Sequence, residues 1–190
     1  MRMSYMVLGT VTPEPTDAAF LQKEVHWAAE AGVGFSIFAR SGIERVVDAV
    51  GEYRRLFQEV HGREAPAPSV VDHVYCAADE AQCFQVVREH LGPGHFNTIS
   101  GYEGEPDWPT EGADGQLTAR RVVELVGTPE QLVQTLLGRQ DRLGDYEQVC
   151  QFTFGSLPHA EATANAQRFA RDVLPKLRAA GVLESTSSTD

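Results

Sequence analysis

Apolar positions recur with two different periods along this chain, and each change of period marks a new element. Residues 2–8 are a short apolar run that predicts a strand, closed by the turn-rich Gly9-Thr10-Val11-Thr12-Pro13-Glu14-Pro15. From Asp17 the spacing turns helical, with Phe20, Leu21, Val25, Ala28 and Ala29 on one broad face and Gly32 as its stop. Residues 34–39 (GFSIFA) predict a second strand. Ser41, with Glu44 three residues on, makes a capping box for a helix that ends at His61-Gly62. Its Ile43, Val46, Val47, Val50, Leu56, Phe57 and Val60 keep close to the 3.6-residue period. Residues 69–76 (SVVDHVYC) predict a third strand, followed by a helix over about 79–91. A helix starting at Thr128-Pro129 leads to a fourth strand at 146–154 (YEQVCQFTF). The last helix runs over about 158–176, with Phe169, Val173 and Leu177 four residues apart.

Strands alternating with helices predict parallel strands joined by right-handed crossovers. Four such βα units are half of an eightfold TIM-type (β/α)8 barrel, so the predicted fold is α/β, a half-barrel in one domain over 1–180, with 181–190 a flexible tail. Residues 91–115, rich in Gly, Pro and acidic residues with Phe96, Tyr102 and Trp108 among them, break the rhythm and predict a lid-like loop. Its expected place is the end of the sheet that carries Thr10 and Gly155. The lumen side of the strands would present Tyr5, Val7, Phe35, Ile37, Val71, Phe152 and Phe154, or their alternates one residue along. Burying such side chains is worth roughly 1.5–3 kcal/mol each. An open half-barrel is therefore predicted to close with a second copy or with a separate half-barrel chain.

Composition narrows the partners. Asp and Glu number 27 against 16 Lys and Arg, a formal charge of −11. That balance repels phosphate backbones, and the densest basic group, Arg120-Arg121, is a pair rather than a patch, so nucleic acid is not an expected partner. The apolar start meets Gly9 too soon for a signal segment or a membrane span, and the expected location is cytoplasmic. Cys76, Cys83 and Cys150 form no CxxC pair and are expected to be reduced core thiols. No carboxylate or thiol stands at metal-ligand spacing from the histidines, so no metal site is expected.

Three strings carry more than a fold. Val126-Gly127-Thr128-Pro129-Glu130-Gln131 is a turn, an N-cap Thr, Pro at the first helical position and Gln at the third. His26-Trp27-Ala28-Ala29-Glu30-Ala31-Gly32-Val33-Gly34-Phe35 is a helix running through a glycine stop into a strand. Near the end stand Phe152-Thr153-Phe154-Gly155-Ser156-Leu157-Pro158 and then Phe169-Ala170-Arg171-Asp172-Val173-Leu174-Pro175-Lys176-Leu177-Arg178. In this order, with Tyr53-Arg54 on the second helix, they resemble the bacterial luciferase-like flavin monooxygenase family, from about Ser4 to Leu177. Family members are about twice this length, so the resemblance maps the chain onto strands five to eight, the C-terminal half of the barrel. The family's catalytic histidine lies outside that half.

The resemblance implies a flavin-dependent monooxygenase, or one half of it, that oxidises a small organic substrate with O2 and FMN supplied reduced by a flavin reductase. It also allows a non-catalytic flavin-binding protein, or an assembly module that pairs with another half-barrel. The loop after the first strand would meet the FMN phosphate with Gly9, Thr10 and Thr12, because a small residue admits the backbone and hydroxyls bond an oxyanion. Ser41 lies at the next strand end and at a helix N-terminus, which also favours an anion. His73, mid-strand, is the candidate titratable group for the lumen. His95 and His159 fall on loops, while His26, His61 and His90 fall on helices and are expected to be solvated.

Overall fold

A computed structural model describes residues 4–7, 17–39, 43–90 and 125–183 of the chain. Among them run β1 (Ser4–Val7), α1 (Asp17–Ala31), β2 (Gly34–Phe38), α2 (Ile43–His61), β3 (Ser69–Cys76) and α3 (Glu80–His90). Then come β4 (Leu125–Gly127), α4 (Pro129–Leu143), β5 (Glu147–Gln151), α5 (His159–Asp172) and α6 (Leu174–Ala179). Every strand pair is parallel, as the alternation of elements requires. The lid-like segment 91–115, the tail from 184 and the Ser41 capping box lie outside the described residues.

β3 is the hub of the sheet. β2 and β5 both pair with its first half, so they occupy opposite edges, and β4 pairs only with residues 74–76. Backbone groups alternate edges along a strand. Pro68 O accepts from Glu147 N at 2.8 Å, and Ala77 N donates to Gly127 O at 3.1 Å, so even positions of β3 turn toward β5 and odd ones toward β4. The four strands read from sequence thus stand in the consecutive order β1, β2, β3, β5, and β4 extends the β2 edge at the C-terminal end. β4 was legible only as part of a turn, because three residues are too short for a period-two pattern.

In-register residues share a face. Phe35, Ile37 and Val70 form a core with Val25, Val46, Val50, Tyr53 and Phe57 of α1 and α2. Val74, Cys76 and Leu125 join Leu132 and Leu136 of α4 and Phe169 and Leu177 of α5 and α6. The opposite face, the one expected from the sequence to be lumen-side, carries Ser36, Ser69 and Glu147 in one row, then Phe38, Val71 and Val149, then His73 and Gln151. For β2 the alternates one residue along therefore face the lumen, and that face is half polar. Ser69 Oγ donates to Glu147 Oε2 at 2.6 Å across it. Phe152 turns to the helix side, its ring 5.3 Å from Phe169, whereas Phe154 stays lumen-side against His73.

Polar contacts lock the layers. Arg139 of α4 donates both terminal nitrogens to Asp72 of β3, at 2.6 and 3.0 Å, and one of them also to Gln148 of β5 at 2.9 Å. Both ends of this pair are 2 % exposed, so removing one partner strands a buried charge at a cost of about 3–5 kcal/mol. Tyr53 Oη donates to Val33 O at 2.8 Å, and Arg54 donates to the carbonyls of Leu143 and Asp145 at the end of α4. The Tyr53-Arg54 string thus fastens turns on the helix layer. Thr128 and Gln131 complete the capping box read from sequence.

Two expectations are corrected. The last helix is divided at Val173, since Pro175 has no N–H to continue the ladder, and Lys176 N and Leu177 N turn to Val173 O at 3.0 and 3.2 Å. His61 is half-buried rather than solvated, its Nε2 donating to Ala29 O at 2.7 Å at the end of α1, because Gly32 turns the chain back beneath it. No helix among the described residues is long and apolar enough to cross a membrane.

Candidate functional site

Side chains of mixed chemistry collect at the C-terminal end of β3 and β5, where parallel α/β folds gather their sites. Period-two alternation puts His73 and Tyr75 of β3 on the lumen-side face. His73 is half-buried, with the Phe38 and Phe154 ring centroids at 6.1 and 5.8 Å. Gln151 stands opposite it across the ladder. Phe154 also meets Tyr75 edge-on at 6.3 Å, so the three aromatics and the imidazole make one packed cluster.

Tyr75 is the fully buried member of that cluster. Its hydroxyl donates to Glu161 Oε1 at 2.7 Å, and Arg168 Nη2 donates to the same oxygen at 2.6 Å. Arg168 Nε reaches Cys76 O at 2.8 Å, with its guanidinium 5.7 Å from the Tyr75 ring centre. Burial, and then the Glu161 carboxylate, push the Tyr75 phenol well above its ordinary range, so at neutral pH it is a fixed donor and not an acid. The Arg168 and Tyr75 hydrogen bonds hold the Glu161 carboxyl below its usual range.

α3 does not lie along the helix layer. Its Cys83 and Val86 pack on Tyr75, Ala77 and Phe154, over the C-terminal end of the sheet. His90 at its end hydrogen-bonds Ser156 Oγ at 3.0 Å, tying α3 to the turn between β5 and α5. A helix after the third strand reads in sequence as the crossover, but α4 fills that place. What could have flagged the site is the pairing of two same-face polar residues in β3 with Glu161 and Arg168, seven apart and therefore on one face of α5.

Of the residues picked from sequence, the structure places His73 in this cluster. Gly9, Thr10, Thr12 and Ser41 lie outside the described residues, as does His95. β1 and β2, which lead toward them, end at Val7 and Phe38 on the same C-terminal edge. His26 sits 3.5 Å from Glu52 on the helix layer, and His159 is exposed at the start of α5. Among the described residues no group of three or more His, Cys, Asp or Glu could hold a metal ion.

No protein-family model and no curated protein sequence matches the chain. Solved structures do match in fold. The monooxygenase RslO1 from Streptomyces bottropensis superposes with a TM-score of 0.64 at 18% identity, over 92% of this chain and 48% of its own. The oxygenating constituent of 3,6-diketocamphane monooxygenase from Pseudomonas putida, in complex with FMN, gives 0.57 at 15% identity, over 91% and 48%. Flavoprotein 390 gives 0.59 at 10% identity, over 96% and 70%. The chain spans about half the length of the first two. It shares the fold of part of these proteins, an α/β arrangement with a parallel sheet that is not closed among the described residues.

Proposed function

We propose that this chain binds FMN at the C-terminal end of its sheet and serves a luciferase-like monooxygenase reaction on a small organic substrate. The observation that carries this reading is a fold shared with one part of a monooxygenase solved with FMN, together with the half-buried Phe38 and His73 side by side at the sheet end where such folds bind ligands. The residues present suit the group. Half-buried Phe38 offers planar apolar contact for a fused ring, with Phe154 packed beneath His73, while His73 and Gln151 offer hydrogen-bonding edges to its polar rim. Gly9, Thr10, Thr12 and Ser41 are the proposed phosphate contacts.

Bound flavin, arriving reduced from a separate reductase, would supply the chemistry with O2. The chain's own part is to orient the ring, to exclude water with α3 and the segment 91–115, and to hold a proton donor or acceptor at His73. Tyr75, anchored by Glu161 and Arg168, keeps Phe154 in place.

Titrating the purified chain with FMN tests the reading. Quenching of flavin fluorescence and a shifted visible band are expected, with His73→Ala and Phe38→Ala each weakening binding about tenfold, the worth of one lost contact of about 1.4 kcal/mol. Absence of flavin binding at millimolar FMN would refute it. Binding without substrate turnover, with a reductase and O2 present, would instead favour the non-catalytic flavin-binding alternative.

A further inference from the structure

Three strands bring their side chains to one patch of the sheet on the face opposite the helix cores. In-register pairing sets Phe38, Val71 and Val149 in one row and His73 and Gln151 in the next, toward the C-terminal end. Val71 is buried, whereas Phe38, His73 and Gln151 are half-buried and Val149 is 38% exposed. The open part of the patch is thus an aromatic ring, an imidazole, an amide and an isopropyl group. Phe38 on β2 and Gln151 on β5 flank His73 on β3.

Gln151 differs from the other glutamine of its strand. Gln148 spends its amide inside the protein: Nε2 donates to Asp72 Oδ2 at 2.8 Å and to Val70 O at 3.1 Å, and Oε1 accepts from Arg139 at 2.9 Å. Among the described residues no group hydrogen-bonds the side-chain amide of Gln151, and neither of its polar atoms is sealed from solvent. Its backbone is nevertheless fixed, because β5 keeps its register with β3 as far as the His73–Gln151 pair. A planar group with one donating and one accepting side is therefore held on a rigid strand, unspent, beside an imidazole and an aromatic ring.

We infer that Gln151 is the specificity-determining residue of this site and reads the imide edge of the bound ring. A carboxamide carries C=O and N–H side by side in one plane. The O=C–N–H edge of an imide carries the same two groups in the opposite order, so the two meet through a pair of hydrogen bonds, as glutamine meets the edge of a nucleobase. A carboxylate or phosphate would set an anion against the amide's own oxygen, and an apolar edge would leave donor and acceptor both unmatched. In FMN the imide edge is C2=O, N3–H and C4=O, an uncharged part of the molecule, and no lysine or arginine stands among the residues of the patch. The inference rests on the flavin reading and adds to it the residue that selects the ring.

Titrations with FMN and with 3-methyl-FMN, in which a methyl group replaces the N3 hydrogen, test it. The unsubstituted chain is expected to bind FMN about tenfold or more tightly than the methylated flavin, which has lost the donor of the pair. Gln151→Met, similar in length and without an amide, should bind the two flavins equally, and FMN about tenfold more weakly than the unsubstituted chain does. Gln151→Glu, which keeps an acceptor and loses the donor, should also lose affinity for FMN. Unchanged far-ultraviolet circular dichroism of both variants shows that the fold is kept. Equal affinity of the unsubstituted chain for the two flavins, or a preference for FMN that survives in Gln151→Met, overturns the inference and leaves flavin binding standing. Binding of neither flavin at millimolar concentration overturns the flavin reading and this inference with it.

Discussion

Glu161 shows how one carboxylate serves both packing and charge. It accepts from Tyr75 and Arg168 on a single oxygen, and these bonds hold its carboxyl below the ordinary value of 4.5. A carboxyl lowered in the folded state adds stability that is fully present above its unfolded value and is lost as pH falls through the folded one. Glu161→Gln is therefore expected to lower the melting temperature at pH 7, with the difference shrinking below about pH 4.5 and vanishing in stronger acid. Melting curves over a pH series check this, and a difference that ignores pH would assign the effect to shape alone. Because the side chain is 35% exposed, solvent screening keeps the effect modest.

At the scale of elements, the end of β3 is finished by a helix. β5 pairs with β3 only as far as His73. Beyond it, on the same edge, Asn165 of α5 donates to Val74 O at 2.6 Å and accepts from Cys76 N at 2.8 Å. One side-chain amide thus does the work of a strand's peptide group, and its neighbour Arg168 takes Cys76 O. Asn165→Ala would leave a buried N–H and a buried C=O unmatched, each costing about 1–3 kcal/mol. A loss of stability of about 2–6 kcal/mol for the two groups together is expected, with faster hydrogen exchange at the Cys76 amide. Unchanged exchange at Cys76 in the alanine variant would show that another group covers the edge.

For the whole molecule, the three thiols report on whether the two cores open together. Cys76 and Cys83 are buried, and burial pushes their thiols up to about 11 and about 12. Cys150, half-buried on the end strand β5, is likewise raised to about 12. Only the thiolate reacts with disulfide reagents, so at neutral pH all three should be nearly inert in the folded chain. Labelling across a urea series is expected to rise at the midpoint seen by circular dichroism, and for all three together. Earlier labelling of Cys150 would show that β5 opens on its own.

The sequence by itself determined the alternation of strands and helices, and with it the parallel sheet, because hydrophobic period is a local property that each segment carries whatever its neighbours do. The capping box at Thr128, the glycine stop after α1 and the place of His73 on a buried strand were legible for the same reason. Contacts between distant segments were not. Which of two alternating faces looks to the lumen depends on where the helices pack, and so Phe35 and Ile37 went one way and Ser36 and Phe38 the other. β4 is too short to show a period, and α3 has a helix's pattern wherever it is laid down. The joining of Tyr75 to Glu161 and of Asn165 to the edge of β3 spans 86 and more residues of chain. Such pairs exist only once folding has brought the segments together, so the tertiary structure alone decided them.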